Sequence, residues 1–313
     1  MKSFLIKSWP KIIKYIFGPV ILILLFWTIG IEKVWDLLTT ADLKYFVIAY
    51  ILFIISVFIA AMNLYALLFP LKKIDPKKYL QYFFASRVTS LVLPGRLGEF
   101  SITLLLKREG INLGRGIAAA ITDKLITICC SIVFGLAGMY TLLKVTEFYA
   151  IVFYFAVGVP ILVLLLSSTS RRLIKKLILR KYAHHFEGFS ATLFSYAKEN
   201  KGMTILNAGI TLFRIVIIAL SAKYMFLAFG TSVPLLTLIL VGGIETLSTF
   251  MPLTVNGLGI KQAIGIYVFS ALGISPAISG ARYFMGLFIQ YSFGFLSTFL
   301  IKKNFVPENE TTY

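Results

Sequence analysis

The sequence predicts an all-α polytopic membrane protein, and three observations support this fold class. The 313 residues are 58% hydrophobic and only 14% charged, whereas soluble domains carry about 25% charged residues. The mean hydropathy is +0.88. Several apolar runs are longer than the roughly 18–20 residues that a helix needs to cross a bilayer. We therefore expect several helices that pass through the membrane.

Six apolar stretches are long enough to be full transmembrane helices. The first follows a basic N-terminal segment, but no small-residue cleavage site ends it, so we interpret it as an uncleaved span and not as a signal peptide. The six stretches lie at about residues 12–31, 45–69, 117–143, 148–169, 204–229 and 277–301.

Two further apolar regions are interrupted, at residues 79–106 around Pro94-Gly95 and at 235–273 around Pro252 to Gly259. Their arms have about 15 residues or fewer, which gives a helix of about 22 Å at 1.5 Å per residue. The hydrocarbon core is about 30 Å thick. Each region is therefore predicted to be a re-entrant helical hairpin that enters and leaves on one side. The alternative is that both are short but full spans in an eight-helix bundle.

The distribution of Lys and Arg predicts the orientation, because cytoplasmic loops are enriched in both. The basic residues of the loops divide 21 to three in favour of one side, which places both termini in the cytoplasm. The first hairpin then opens to the cytoplasm and the second to the outside, so that units 45–143 and 204–301 form an inverted repeat. The basic side comprises segments 1–14, 71–79, 107–115, 170–203 and 302–303, and the opposite side has Lys33, Lys44 and Lys144.

The chain is predicted to form a single integral membrane domain over residues 1–303. Within it, segment 170–203 is basic and has an apolar helical face. Such a segment is expected to lie on the cytoplasmic surface, held by anionic lipid headgroups. Residues 304–313 are expected to be a flexible tail.

Charged residues inside the apolar segments are the candidate functional residues, because charge at membrane depth is costly unless it faces protein or water. Arginine binds phosphate or carboxylate through two parallel hydrogen bonds, which favours an anionic lipid headgroup. The carboxylates are expected to orient the arginines or to carry protons. The candidates for headgroup binding are Arg87, Arg96, Arg214 and Arg282, and the acidic candidates are Glu99, Asp123 and Glu245.

Plainer interpretations remain open for several of these charges. Lys124, Lys223 and Lys261 are interpreted as residues near span ends whose ammonium groups reach the interface. Asp123 is equally compatible with an interfacial position beside Lys124. Arg214 and Glu245 could each belong to a structural ion pair between helices.

Other function classes lack their usual residues. The net charge of +18 is explained by cytoplasmic loops, and no basic stripe with interleaved aromatics indicates nucleic-acid binding. Cys129 and Cys130 are adjacent, a spacing that rarely allows an unstrained disulfide. His184 and His185 lack neighbouring metal ligands. We find no catalytic constellation and no phosphate-binding loop, so we expect no metal and no cofactor, and we favour a transporter over an enzyme.

Several short motifs resemble one known family, the flippase-like transmembrane region of lysylphosphatidylglycerol synthase found in the multiple peptide resistance factor. The resemblance covers about residues 12–303 and implies a stand-alone form without the soluble synthase domain. The motifs are P-G-R-L-G-E at 94–99, the acidic residue Asp123 at a span start, P-x-x-x-x-G-x-G at 252–259 and L-G-I-S at 272–275.

The resemblance implies a bacterial or archaeal cell-membrane protein that moves an anionic or aminoacylated phospholipid, such as lysyl-phosphatidylglycerol, between leaflets. The family often has Glu three residues after the last glycine of the second motif, and here that position is Gln262, so an acidic coupling role there is not assumed. The residues at the hairpin tips are Pro94, Gly95, Gly98, Pro252, Asn256, Gly257 and Gly259.

Two other hypotheses are kept beside lipid translocation. The first is an accessory membrane subunit that binds lipid for a phospholipid synthase or a polyprenyl-linked glycosyltransferase. The second is a membrane enzyme acting on lipid phosphate, which would need a metal or nucleophile constellation that the sequence does not show. A separate lipid-modifying enzyme is thus a possible partner, and the oligomeric state stays open.

Overall fold

The computed structural model describes residues 17–92, 94–144, 188–249, 254 and 257–301, with the backbone alone at 92, 94–97 and 248. These ranges are helical and contain no strand. The all-α prediction is therefore confirmed. The predicted span 148–169, most of the basic linker and the tail lie outside the described residues.

Twelve helical segments make up the described part of the chain. Proline, or a capping side chain just before the helix, marks several beginnings: Asp42 accepts a hydrogen bond from Lys44 N at 2.8 Å, and Ser275 accepts one from Ala277 N at 3.3 Å, as is usual at helix N-termini. The helices are α1 Phe17–Ile29, α2 Ile31–Thr39, α3 Leu43–Leu68, α4 Pro76–Val92, a 3₁₀ helix Pro94–Ser101, α5 Ile102–Arg108, α6 Leu113–Leu143, α7 Phe189–Lys198, α8 Lys201–Leu227, α9 Leu235–Ser248, α10 Ile260–Ala271 and α11 Pro276–Phe299.

Three of these helices combine the length and apolar composition of a membrane span, namely α3, α6 and α8 with 26, 31 and 27 residues. A fourth is obtained if α1 and α2 are counted together. However, α2 is bent by 85° from α1 at Gly30, whose φ of 97° favours glycine. Helix α11 has 24 residues but is not among the three. The protein is thus a membrane protein, and its described part has three or four clear spans where the sequence analysis predicted five, since the sixth predicted span, 148–169, is outside it.

Helices α3 and α8 pack side by side and run in opposite directions. Ser221 Oγ, near the end of α8, donates a hydrogen bond to the Ala49 carbonyl near the start of α3 at 2.8 Å. Asn207 Nδ2, near the start of α8, donates to the Asn63 carbonyl near the end of α3 at 3.0 Å. These two contacts define an antiparallel seam between α3 and α8. Helix α3 is the first helix of the predicted unit 45–143, and α8 is the first helix of the predicted unit 204–301.

Glycine allows α6 and α9 to approach closely. A Cβ on Gly243 would lie 2.6 Å from the Gly135 nitrogen, and one on Gly138 would lie 3.1 Å from the Leu240 carbonyl oxygen. Small residues at helix contacts are a usual feature of packing in membranes. Helices α4 and α11 also meet at a glycine, where Leu91 packs on Gly294.

The chain turns back on itself after α4 and again after α9. We call residues 76–108 hairpin 1 and residues 235–271 hairpin 2. In hairpin 1, Ser86 Oγ donates to the Gly98 carbonyl at 3.0 Å, and Gly98 lies so close to the Ser90 backbone that a Cβ would overlap it. In hairpin 2, a Cβ on Gly257 would lie 3.0 Å from Thr249 Cα. Both hairpins thus close around a glycine packed on the arm before it.

Two of the apolar cores lie in different parts of the helix bundle. The first contains Leu67 and Leu68 of α3 with residues of α4, α5 and α6, and the second contains Phe226 and Phe269, whose rings meet edge to face at 4.9 Å. Tyr196 of α7 caps the first core and donates a hydrogen bond to the Leu67 carbonyl. Burial raises the pKa of the Tyr196 hydroxyl above its ordinary value, so the group stays protonated and remains a donor.

Candidate functional site: two polar cavities

A cavity of about 580 Å³, called cavity 1, lies between hairpin 1 and helices α3, α6 and α8. Apolar residues such as Leu64 and Phe83 form part of its wall. Its polar lining comes from four helical segments, namely α4, the 3₁₀ helix, α6 and α8. These lining residues are Ser86, Arg87, Ser90, Glu99, Asp123, Lys124 and Arg214.

Lys124 joins the acidic residues of cavity 1. Its Nζ lies 2.6 Å from Glu99 Oε2 and 3.0 Å from Asp123 Oδ2. The Asp123 side chain is 6% exposed, and those of Lys124 and Glu99 are 22% and 24% exposed. An ammonium group shared between two carboxylates avoids leaving either of them unpaired. Lys124, for which we predicted an interfacial position, is therefore part of the cavity wall.

Asp123 is also held by amide groups from α3 and α8. Its Oδ1 accepts hydrogen bonds from Asn63 Nδ2 at 2.9 Å and from Asn207 Nδ2 at 3.2 Å. Asn63 Nδ2 also lies 2.8 Å from Thr211 Oγ1. Asn63 and Asn207 are completely buried. A polar network thus crosses the apolar bundle where α3, α6 and α8 meet.

Two arginines face the same cavity, Arg87 from α4 and Arg214 from α8. The Arg87 guanidinium also lies over the Phe53 ring, at 5.9 Å from its centroid, a favourable cation–π distance. Phe53 itself lines a second cavity. The Arg87–Phe53 contact therefore lies between the two cavities.

The second cavity, called cavity 2, has a volume of about 880 Å³ and lies between hairpin 2 and helices α3, α8 and α11. On α3 it touches Phe53 and Ser56, whereas cavity 1 touches Ala60 and Leu64. The two cavities are therefore displaced along the seam between α3 and α8, about one helical turn apart on α3. Polar residues lining cavity 2 are Ser56, Ser221, Thr249, Lys261, Gln262, Arg282 and Gln290.

Glu245 is the acidic centre beside cavity 2. Its carboxylate accepts a hydrogen bond from the Tyr283 hydroxyl and lies 3.4 Å from Lys261 Nζ and 3.7 Å from Arg282 Nη1. The Arg282 guanidinium stacks over the Tyr283 ring at 4.3 Å. Gly265 makes room for this arrangement, because a Cβ there would overlap the Tyr283 hydroxyl.

Gln262 has a structural role at the start of α10. Its side-chain oxygen accepts a hydrogen bond from the Gly259 N–H at 2.8 Å, which satisfies a free backbone donor at the start of α10. A glutamate would accept the same bond. Gly259 has a φ of 85°, and a Cβ there would lie 2.8 Å from the Gly18 carbonyl oxygen, so the position favours glycine.

The predicted site residues that the structure describes lie at two different cavities. Arg87, Arg214, Glu99 and Asp123 meet at cavity 1, whereas Arg282 lies apart from them at cavity 2. Glu245 and Gln262 are also at hairpin 2. The Arg96 side chain and residues Pro252 and Asn256 lie outside the description, and Pro94 and Gly95 are described by their backbone in the 3₁₀ helix.

Some contributing residues were missed by the sequence analysis. Asn63, Asn207 and Thr211 complete the network at Asp123, and Tyr283 binds Glu245. Asn63 could have been noticed as an amide inside the apolar run 45–69. Within the described residues, no group of three or more His, Cys, Asp or Glu side chains could hold a metal ion.

Apolar spans, helical hairpins closed by glycine and charged cavities inside the bundle define a polytopic membrane protein with polar sites between its helices. The chain belongs to the family described as the lysylphosphatidylglycerol synthase TM region, whose model matches residues 12–297. The resemblance seen in the sequence is thereby confirmed. No curated protein sequence and no solved structure matches the chain. Membership relates the protein to the handling of membrane lipids.

Proposed function

We propose that the protein translocates an anionic or aminoacylated phospholipid between the two leaflets of the cell membrane. The observation that supports this most strongly is the pair of polar cavities displaced along one antiparallel seam. Each cavity lies beside a hairpin and contains basic side chains, Arg87 and Arg214 in one and Lys261 and Arg282 in the other. Two successive stations for a headgroup are what a path between leaflets requires.

The basic side chains of the two cavities indicate which headgroup would bind there, namely one with a phosphate. Guanidinium groups bind phosphate oxygens through paired hydrogen bonds, so Arg87 and Arg214 would hold a lipid phosphate in cavity 1, assisted by Arg96 at the hairpin tip. Arg282 and Lys261 would do so in cavity 2. The acyl chains would stay in the surrounding bilayer, which is compatible with the many apolar side chains exposed on α3, α8 and α11.

The orientation of the two stations is part of the proposal. With both termini in the cytoplasm, the end of α3 and the start of α8 face the cytoplasm, and cavity 1 lies toward that side. Cavity 2 then lies toward the outer leaflet. Re-entrant hairpins arranged as an inverted repeat are supported by the antiparallel α3–α8 seam and by the equivalent pairs α6–α9 and α4–α11. Inverted repeats with interrupted helices are a common transporter design.

The test is lipid transfer in reconstituted liposomes that carry fluorescent anionic, aminoacylated or zwitterionic phospholipids in one leaflet. We expect faster transfer of the anionic or aminoacylated lipids than in protein-free vesicles. Arg96→Ala and Arg87→Ala should reduce the rate at least tenfold. Lys78→Ala is the matched control, because the Lys78 side chain is 59% exposed and outside the cavities.

Three results separate the hypotheses. Transfer no faster than in empty vesicles, together with retained lipid binding, would favour the accessory lipid-binding subunit. Full transfer by Arg87→Ala and Arg96→Ala would contradict the phosphate role of hairpin 1. Equal transfer of zwitterionic lipids would contradict headgroup selection by charge.

A further inference from the structure

The two carboxylates of cavity 1 are bound by neighbouring side chains of the protein. Asp123 Oδ1 accepts hydrogen bonds from two buried amide groups, and its Oδ2 lies 3.0 Å from Lys124 Nζ. The same ammonium lies 2.6 Å from Glu99 Oε2. Arg87 and Arg214 are half-buried and line the same cavity. Three basic side chains and two carboxylates give the described lining of cavity 1 a net charge of about +1 at neutral pH.

Cavity 2 has the same balance of charge. The Glu245 side chain beside it is 5% exposed and lies within 3.7 Å of both Lys261 Nζ and Arg282 Nη1. Lys261 and Arg282 line the cavity, and the Lys261 side chain is 38% exposed. Two basic side chains and one carboxylate again leave a net charge of about +1. The negative charge is therefore buried, whereas positive charge lines the cavity.

A positive cavity inside an apolar bundle distinguishes headgroups by their own charge, because charges interact more strongly there than in water. The phosphodiester of phosphatidylglycerol carries about −1 at neutral pH and would neutralise either cavity. A zwitterionic headgroup has no net charge to offer. Lysyl-phosphatidylglycerol has two ammonium groups beside its phosphate, so its net charge is about +1. A positive cavity repels such a headgroup.

The carboxylates described at the two cavities also offer little to an added ammonium group. Asp123 and Glu245 are buried, and Glu99 is bound to Lys124. A carboxylate that received a lipid ammonium would have to release the side chain that now binds it. A cation transferred from water into the bundle without a partner is costly. The aminoacylated headgroup therefore loses twice, by repulsion and by the absence of an acceptor among these three carboxylates.

We infer that both cavities select a lipid whose headgroup has the net negative charge of a phosphodiester, such as phosphatidylglycerol, over its aminoacylated form. The inference rests on the proposed function for the choice of a lipid, and it narrows the substrate class named there. The asymmetry between buried carboxylates and cavity-lining cations in both places supports it.

The test is competition for a fluorescent phosphatidylglycerol bound to the purified full-length protein in micelles of a neutral detergent. The competitors are unlabelled phosphatidylglycerol, lysyl-phosphatidylglycerol, phosphatidylcholine and glycerol 3-phosphate. We expect phosphatidylglycerol to compete at concentrations lower by about tenfold or more than either of the other two lipids. Equal competition by the lysyl form or by phosphatidylcholine would overturn the inference. Equal competition by glycerol 3-phosphate would identify a soluble anion as the ligand and overturn the assignment to a lipid.

Variants that remove positive charge connect this selectivity to the cavities. Arg214→Gln combined with Lys261→Gln removes one positive charge from each cavity and should reduce the preference for phosphatidylglycerol over its lysyl form by about fivefold or more. Lys72→Gln combined with Lys77→Gln is the matched control, because it removes the same charge from exposed residues outside both cavities. Lys261→Gln alone should shift the preference in the same direction. An unchanged preference in Lys261→Gln and in the double variant, or an equal shift in the control, would overturn the inference.

Binding and transfer separate this inference from the proposed function. Selective binding of phosphatidylglycerol without transfer in liposomes would support the selectivity and contradict translocation. Transfer of the lysyl form as fast as that of phosphatidylglycerol would support translocation and overturn the selectivity.

Discussion

Glu99 and Lys124 form an ion pair with an N–O distance of 2.6 Å, and this pair fastens hairpin 1 to α6. Glu99 follows the glycine around which hairpin 1 closes, whereas Lys124 lies in the first half of a 31-residue helix. The hairpin is therefore tied to the bundle by charge as well as by apolar packing. Loss of this pair should weaken the attachment of hairpin 1 to α6 and leave a charge in the wall of cavity 1 without its ion-pair partner.

Replacing Lys124→Met should lower the free energy of unfolding by about 3 kcal/mol, because the buried Asp123 and the partly buried Glu99 would both lose their ammonium partner. The double variant Lys124→Met with Glu99→Gln should recover part of this loss. Thermal or denaturant unfolding in detergent measures both. Lys78→Met serves as the control, since Lys78 is 59% exposed and its pair with Glu109 at 3.6 Å is worth about 0–1 kcal/mol. Equal losses for Lys124→Met and Lys78→Met would contradict the structural role of the pair.

Replacing Gly243→Ala should lower the free energy of unfolding by about 1–3 kcal/mol, because the added methyl group would push against the α6 backbone at Gly135. The neighbouring Gly242→Ala is the control. No atom of the described residues lies within 4 Å of a Cβ at Gly242, so that change should be neutral or slightly stabilising. If the two alanine variants unfold at the same temperature, the close contact between α6 and α9 is not present.

Replacing Tyr283→Phe should lower the free energy of unfolding by about 1.5–3 kcal/mol, because the Glu245 carboxylate would lose a buried hydrogen bond. In the transfer assay the same variant should also slow lipid movement, since Glu245 would hold Lys261 and Arg282 less firmly. Tyr267→Phe in α10 is the control, as Tyr267 is 69% exposed. A Tyr283→Phe protein with unchanged stability and transfer would contradict a role for this bond.

The residues that the sequence analysis predicted for hairpin 1 were found by a local signal. Arg87 and Glu99 stand out because they are charged residues within one short apolar segment, and the glycines near the break show where the chain must turn. A helix break and a charged residue inside an apolar segment can both be recognised from a few consecutive residues, so one sequence is enough to find them. Gly98 packed on Ser90 is the structural counterpart of that signal.

The residues that were missed depend on contacts between distant segments. Asn63 and Thr211 are separated by 148 positions, and nothing near either residue indicates that they meet at Asp123. The separation of Arg282 from Arg87 has the same origin, because the packing of α11 decides which cavity Arg282 faces. The 85° bend at Gly30 was not predicted either, since a glycine inside an apolar run is equally compatible with a continuous helix.

The seam between α3 and α8 has a consequence for how the two cavities influence each other. Both helices form walls of both cavities, so a change in the tilt of one helix against the other alters both openings together. A ligand that favours one tilt then changes the affinity of the opposite cavity, and thermodynamic linkage requires the reverse effect to be equally large. Binding of a ligand in one cavity would thus change the affinity of the other cavity, which lies about one helical turn away along α3.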